Sequence, residues 1–80
     1  MPLVLDDDAI RLTGSCPIET AEPLLDALRG AAAPRIDVSG LDHAHTAVLQ
    51  VLIAARPILE GRPVDPVTAA CLAGLPRDPA

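Results

Sequence analysis

From Ala47 to Ala55 every position but Gln50 is apolar, and Pro57 follows closely. Val48, Leu49, Val51, Leu52 and Ile53 leave a helix over 46–56 almost no polar face. A helix apolar nearly all round must be covered on more than one side. In a chain of 80 residues one cover is a sheet, and the other is a neighbouring helix or another protein. Thr46 and Gln50, four apart, share one side and make its polar corner. Pro57 disfavours helical geometry at Arg56 and ends the helix. The run is too short to span a bilayer, so no direct membrane insertion is expected.

That helix must pack without rings, because the chain has no Phe, Tyr or Trp. Its core is confined to Leu, Val, Ile and Ala, which gain nothing from aromatic packing. The expectation is one small domain over 1–76, of modest stability, with a frayed tail over 77–80.

The flanking pattern builds the rest. Leu3-Val4-Leu5, the Asp6-Asp7-Asp8 tract and Ala9 to Thr13 read as a β-hairpin around a solvated turn. Ile10 and Leu12 alternate with Arg11 and Thr13, so one face of the second strand is buried. Gly14 to Pro17 reads as a loop. Ala21, Leu24, Leu25 and Leu28 then have helical spacing, with Thr20 as N-cap, Pro23 in the first turn and Gly30 as the stop. Arg35 to Val38 is the next strand, reached from a helix and so parallel to the strand before it. Residues 39–45 read as the loop into the helix over 46–56. Gly61 to Val64 has room for only a stub of a fourth strand. Asp65-Pro66 opens a last helix with a strong N-cap and a proline preformed for the first helical position. Its apolar stripe is Val67, Ala70, Cys71 and Leu75. The order β-β-α-β-α-(β)-α implies an α/β fold: a small mixed β-sheet with helices packed mainly on one face, its fourth strand shortened.

Charge and cysteine usage exclude several functions. The net charge is −5, and the six basic residues are scattered arginines. With no basic patch and no stacking ring, nucleic-acid binding is not expected. An acidic domain fits a protein partner with a basic surface better. Cys16 and Cys71 have no metal or redox spacing and read as free, partly buried thiols of a cytoplasmic protein. Met1 leads straight into a strand pattern rather than a leader. Ser15, Ser39, Thr46 and Cys16 have no base at a recognisable spacing, and no glycine-rich phosphate loop is present, so no catalytic residue and no cofactor are expected. His43 and His45 point the same way if extended. Even with Asp42 or Asp37 they lack a third His or Cys, so no metal site is expected. Their protonation would adjust a docking surface.

The segments Ile10-Arg11-Leu12-Thr13-Gly14, Ile36-Asp37-Val38-Ser39-Gly40-Leu41 and Leu49 to Arg56, with Asp65-Pro66 and Gly74-Leu75 behind them, resemble in order and spacing the STAS domain, the fold of bacterial anti-sigma factor antagonists. In phosphorylated members a motif close to Asp-Ser-Ser-Gly-Leu opens the second helix, and its first Ser takes the phosphate. The resemblance places Thr46 on that position, with His45 for the Asp and Val48 for the Gly. It implies a non-enzymatic regulatory domain. Its protein partner would be an anti-sigma or histidine-kinase-like protein, a signalling assembly or a transporter ATPase. The docking surface would comprise Asp42, His43, His45, Thr46, Val48, Leu49 and Gln50. The chain is also similar to lipid-transport STAS subunits and to small chemotaxis-associated STAS proteins, which implies the alternative of a constitutive structural subunit with no switch.

Two readings of Thr46 follow. A phosphate there meets unpaired N–H groups and the positive end of the helix dipole, and adds charge to a docking surface. Otherwise Thr46 caps the helix or touches the partner. The Asp37 carboxylate reads as an end-of-strand group near Thr46, or as a solvated or backbone-bonded carboxylate. The two prolines of Arg62-Pro63-Val64-Asp65-Pro66 weaken the fourth strand. That leaves the 35–38 edge open to pairing with a second copy or another chain.

Overall fold

The structure, a computed structural model, describes residues 2–6, 9–30 and 34–76. The elements are β1 (Leu3–Asp6), β2 (Ala9–Cys16), a 3₁₀ turn (Ile18–Thr20), α1 (Ala21–Arg29), β3 (Arg35–Ala44), α2 (Thr46–Ala55), β4 (Ile58–Glu60) and α3 (Pro66–Cys71). One sheet runs β1-β2-β3-β4; β1 is antiparallel to β2, and the other pairs are parallel. Each parallel step crosses over through one helix. Right-handed crossovers stepping in one direction put both helices on the same face, and α1 and α2 indeed pack together. The α/β class, the mixed sheet and the one-sided cover are as the sequence implies.

The core lies between that sheet face and the helices. Leu12, Leu24, Ile36, Val38, Leu41, Val48, Leu52, Leu59 and Leu72 are sealed from solvent. Both covers that the apolar helix needs come from the chain itself: β-strand leucines beneath α2 and Leu24 and Leu28 of α1 in the same cluster.

β2 and β3 are longer than their patterns suggest. Gly14 to Cys16 continue β2, and Ser39 to Ala44 continue β3, where loops are expected. The register explains this. Arg11 pairs with Asp37 but Thr13 with Gly40, and Gly14 pairs with Leu41 but Ser15 with His43. β3 therefore carries an extra residue at each of two irregularities, and its inward positions become Ile36, Val38, Leu41 and Ala44. Such bulges break the period-2 signal without ending the strand.

The fourth strand is also displaced. It is Ile58–Glu60, immediately after Pro57, not the 61–64 segment. It pairs Arg35 with Ile58, Ile36 with Leu59 and Asp37 with Glu60, so the 35–38 edge is not open as expected. Arg56 adopts a left-handed conformation (φ 51°, ψ 53°) that stops α2 and turns the chain straight back to the sheet. The 61–64 segment meets β3 further along, where the Val64 N–H donates to the Leu41 carbonyl at 2.7 Å. The outer side of β4 is closed too: the Leu59 N–H donates to the Pro76 carbonyl at 2.9 Å.

Helix ends bring further corrections. Thr20 does not cap α1; it is buried at the end of the 3₁₀ turn with helical backbone and no capping bond. Asp65 does cap α3, its Oδ2 accepting the Thr68 N–H at 3.0 Å and the Thr68 hydroxyl at 2.9 Å. With both polar groups satisfied, Thr68 is buried, as an unpaired hydroxyl could not be without penalty. The inward face of α3 is thus Thr68, continued by Leu72 and Leu75, while Val67, Ala70 and Cys71 face solvent. Cys16 is buried and Cys71 exposed, so only one of the two free thiols is shielded. The Asp7-Asp8 turn and the 77–80 tail lie outside the described residues.

Candidate functional site

The end of β3 and the start of α2 form one continuous corner. The His45 N–H donates to the Cys16 carbonyl at 2.9 Å, tying the corner to the end of β2. Asp42 and His43 are exposed on the last turn of strand, Ala44 is buried beneath them, and His45 and Thr46 are exposed at the helix start.

His45 is the N-cap. Its extended backbone (φ −58°, ψ 149°) lets the imidazole Nδ1 accept the Ala47 N–H at 3.0 Å. Its carbonyl accepts the N–H groups of Val48 at 2.9 Å and Leu49 at 3.1 Å. Thr46 is the first helical residue, so it does not cap α2. Its exposed hydroxyl and its own N–H make no hydrogen bond to the described residues. A group attached to that hydroxyl would sit at the positive end of the helix.

The expected docking residues separate into two sets. Asp42, His43, His45, Thr46 and Gln50 all reach the surface, and Leu49 is partly exposed. Val48 does not: it is fully buried in the core. Three residues after the cap, it falls on the stripe that α2 turns to the sheet, so it is withdrawn from the docking set. Ile53, 47 % exposed, extends the outward face of α2 below Gln50.

The sequence reading missed the neighbours contributed by α3. The Asp65 carboxyl is held below its ordinary value, chiefly by the N–H and hydroxyl of Thr68, with a smaller attraction from His43. The Val64–Leu41 hydrogen bond and the packing of α3 on β3 set the α3 start beside the end of β3. Val64, 66 % exposed, joins the corner.

Asp37 does not join the corner. It pairs with Arg11 while Ala44 pairs with Cys16, five positions further along β2, which puts the two about 16 Å apart at the usual rise. It binds locally instead: Oδ1 accepts the Ser39 hydroxyl at 2.7 Å and the Ser39 N–H at 2.9 Å, and Oδ2 lies 3.5 Å from Arg11 Nε. Those Ser39 bonds, the hydroxyl's first, hold its carboxyl below the ordinary value against the opposing effect of burial, with Arg11 adding smaller downward pulls. Among the described residues no three His, Cys, Asp or Glu side chains are grouped as metal ligands. No helix among them is long and apolar enough to cross a membrane. Burial pushes the Cys16 thiol up, which keeps it protonated and unreactive.

In comparisons with known proteins, no family model matches the chain and no curated protein matches it as a relative.

Proposed function

We propose that this chain is a non-enzymatic protein-docking domain of the STAS type, acting in a bacterial cytoplasm. Its docking surface is the corner formed by Asp42, His43, His45, Thr46, Leu49 and Gln50, and phosphorylation of Thr46 switches it. The observation that carries the reading is the free Thr46 hydroxyl at the first position of α2, beside a cap supplied by its neighbour His45. A hydroxyl needed for capping could not be modified without weakening the helix; this one is spare. Phosphate on it would add up to about two negative charges next to Gln50 and Leu49, without disturbing the His45–Ala47 bond. The acidic balance of the chain favours a partner with basic groups at its own docking face.

Site-resolved mass spectrometry of the protein from its own cells tests the switch. The peptide spanning Thr46 is expected in both phosphorylated and free forms. A peptide free of phosphate in every growth state would leave the constitutive alternative, a structural subunit whose exposed Ile53 and partly exposed Leu49 are permanently covered.

A further inference from the structure

The two edges of the sheet are finished differently. At β4 the outward Leu59 N–H is taken by the Pro76 carbonyl. At β1 no such cover is present among the described residues. β1 pairs Leu3 with Leu12, Val4 with Arg11 and Leu5 with Ile10, and the Thr13 N–H donates to the Pro2 carbonyl at 2.8 Å. Antiparallel ladders alternate hydrogen-bonded and non-bonded pairs. The Pro2–Thr13 bond fixes the phase, so Val4 and Arg11 exchange bonds while the N–H and C=O groups of Leu3 and Leu5 point outward.

Leu3, Val4 and Leu5 make this edge apolar up to Asp6. Leu5, Ile10, Ile36 and Leu59 form one row across the sheet. Three of them are buried, yet Leu5 at the end of the row is 63 % exposed. Val4, on the opposite face, is 37 % exposed. A short, apolar edge with unpaired backbone groups is a template for another strand.

We infer that β1 pairs with β1 of a second copy, antiparallel, about a two-fold axis through Val4. The segment Leu3-Val4-Leu5 is self-complementary about that axis. Leu3 faces Leu5 of the second copy, and each such pair exchanges two N–H···O=C bonds, four in all. Val4 faces Val4 as a non-bonded pair with Cα atoms about 4.5 Å apart. Leu5 gains a leucine neighbour on its face and the core row continues into the second sheet. The two Asp6 positions fall opposite Pro2 rather than opposite each other, about 13 Å apart along the strands, which avoids facing like charges.

Analytical ultracentrifugation across a concentration series tests the pairing, with two variants. Wild type is expected to shift from monomer to dimer as concentration rises. Leu5→Pro removes an outward N–H but no bond to β2, and is expected to weaken the dimer at least tenfold while its circular dichroism stays native. In a Cys71→Ser background, Val4→Cys is expected to cross-link to a covalent dimer on mild oxidation, because its Cα separation suits a disulfide, and Leu5→Cys is expected to stay monomeric. Wild type that stays monomeric up to about 1 mM, the weak end of specific association, overturns the inference. So does a Leu5→Pro dimer as tight as wild type, or cross-linking at Leu5→Cys but not at Val4→Cys.

Discussion

The imidazole Nδ1 of His45 accepts the backbone N–H of Ala47 at 3.0 Å, so the cap of α2 belongs to the residue before Thr46. Losing a side-chain cap costs about 1 kcal/mol. His45→Ala is therefore expected to lower stability by about that amount in urea unfolding, and His45→Asn to restore most of it. Thr46→Ala is expected to change stability by less than about 0.5 kcal/mol.

Asp37 gives the fold an acid sensitivity with a definite sign. Its folded carboxyl is held below the ordinary value by Ser39 and Arg11. A lowered folded value means the stabilisation is fully present above the unfolded value, about 3.9. It is lost as pH falls through the folded value. Asp65, held down by Thr68, acts in the same direction. Urea midpoints followed from about pH 6 to about pH 2 are expected to fall below pH 4, and Ser39→Ala to make that fall shallower.

Gly61 is held by its neighbours as well as by its own backbone. Its φ of 75° is left-handed, and a Cβ there would lie 2.6 Å from the Ser39 Cβ. Gly14 has a similar φ of 64° but open space around it. Both alanine variants carry backbone strain of about 1 kcal/mol. Only Gly61→Ala must also push β3 aside, so its loss of stability by urea unfolding is expected to exceed that of Gly14→Ala.

The two thiols are expected to react at separate rates. Cys71 is exposed, whereas Cys16 is buried with its thiol pushed up. One equivalent of a thiol reagent is expected to react rapidly with the native protein. The second should wait for unfolding, as buried sites open only with local or global loss of structure.

Much of this architecture can be read from the residues. The apolar run over 47–55 and Pro57 mark α2, and Asp65-Pro66 marks α3 at its true first residue. The strand ends are hidden because two irregularities in the β2–β3 register add residues to β3 and break its alternation around Ser39-Gly40 and Asp42-His43. β4 is hidden because Ile58 and Leu59 directly follow an apolar helix, with only the left-handed Arg56 and Pro57 between them. At the candidate site the surface positions are legible, but the cap is not: His45 acts through Nδ1, a role that Ser, Thr, Asp and Asn usually fill. Val48 enters the docking set only through the resemblance, whereas its place four residues before Leu52 puts it on the buried stripe of α2.

At Thr46 the His45 cap makes the decisive comparison clean, because Thr46→Ala leaves the helix start intact. Partner capture from the protein's own cells should be quantified side by side for wild type, Thr46→Ala and Thr46→Asp. One partner is expected to be held equally by wild type and Thr46→Ala and lost with Thr46→Asp. Equal capture by Thr46→Asp would contradict the switch.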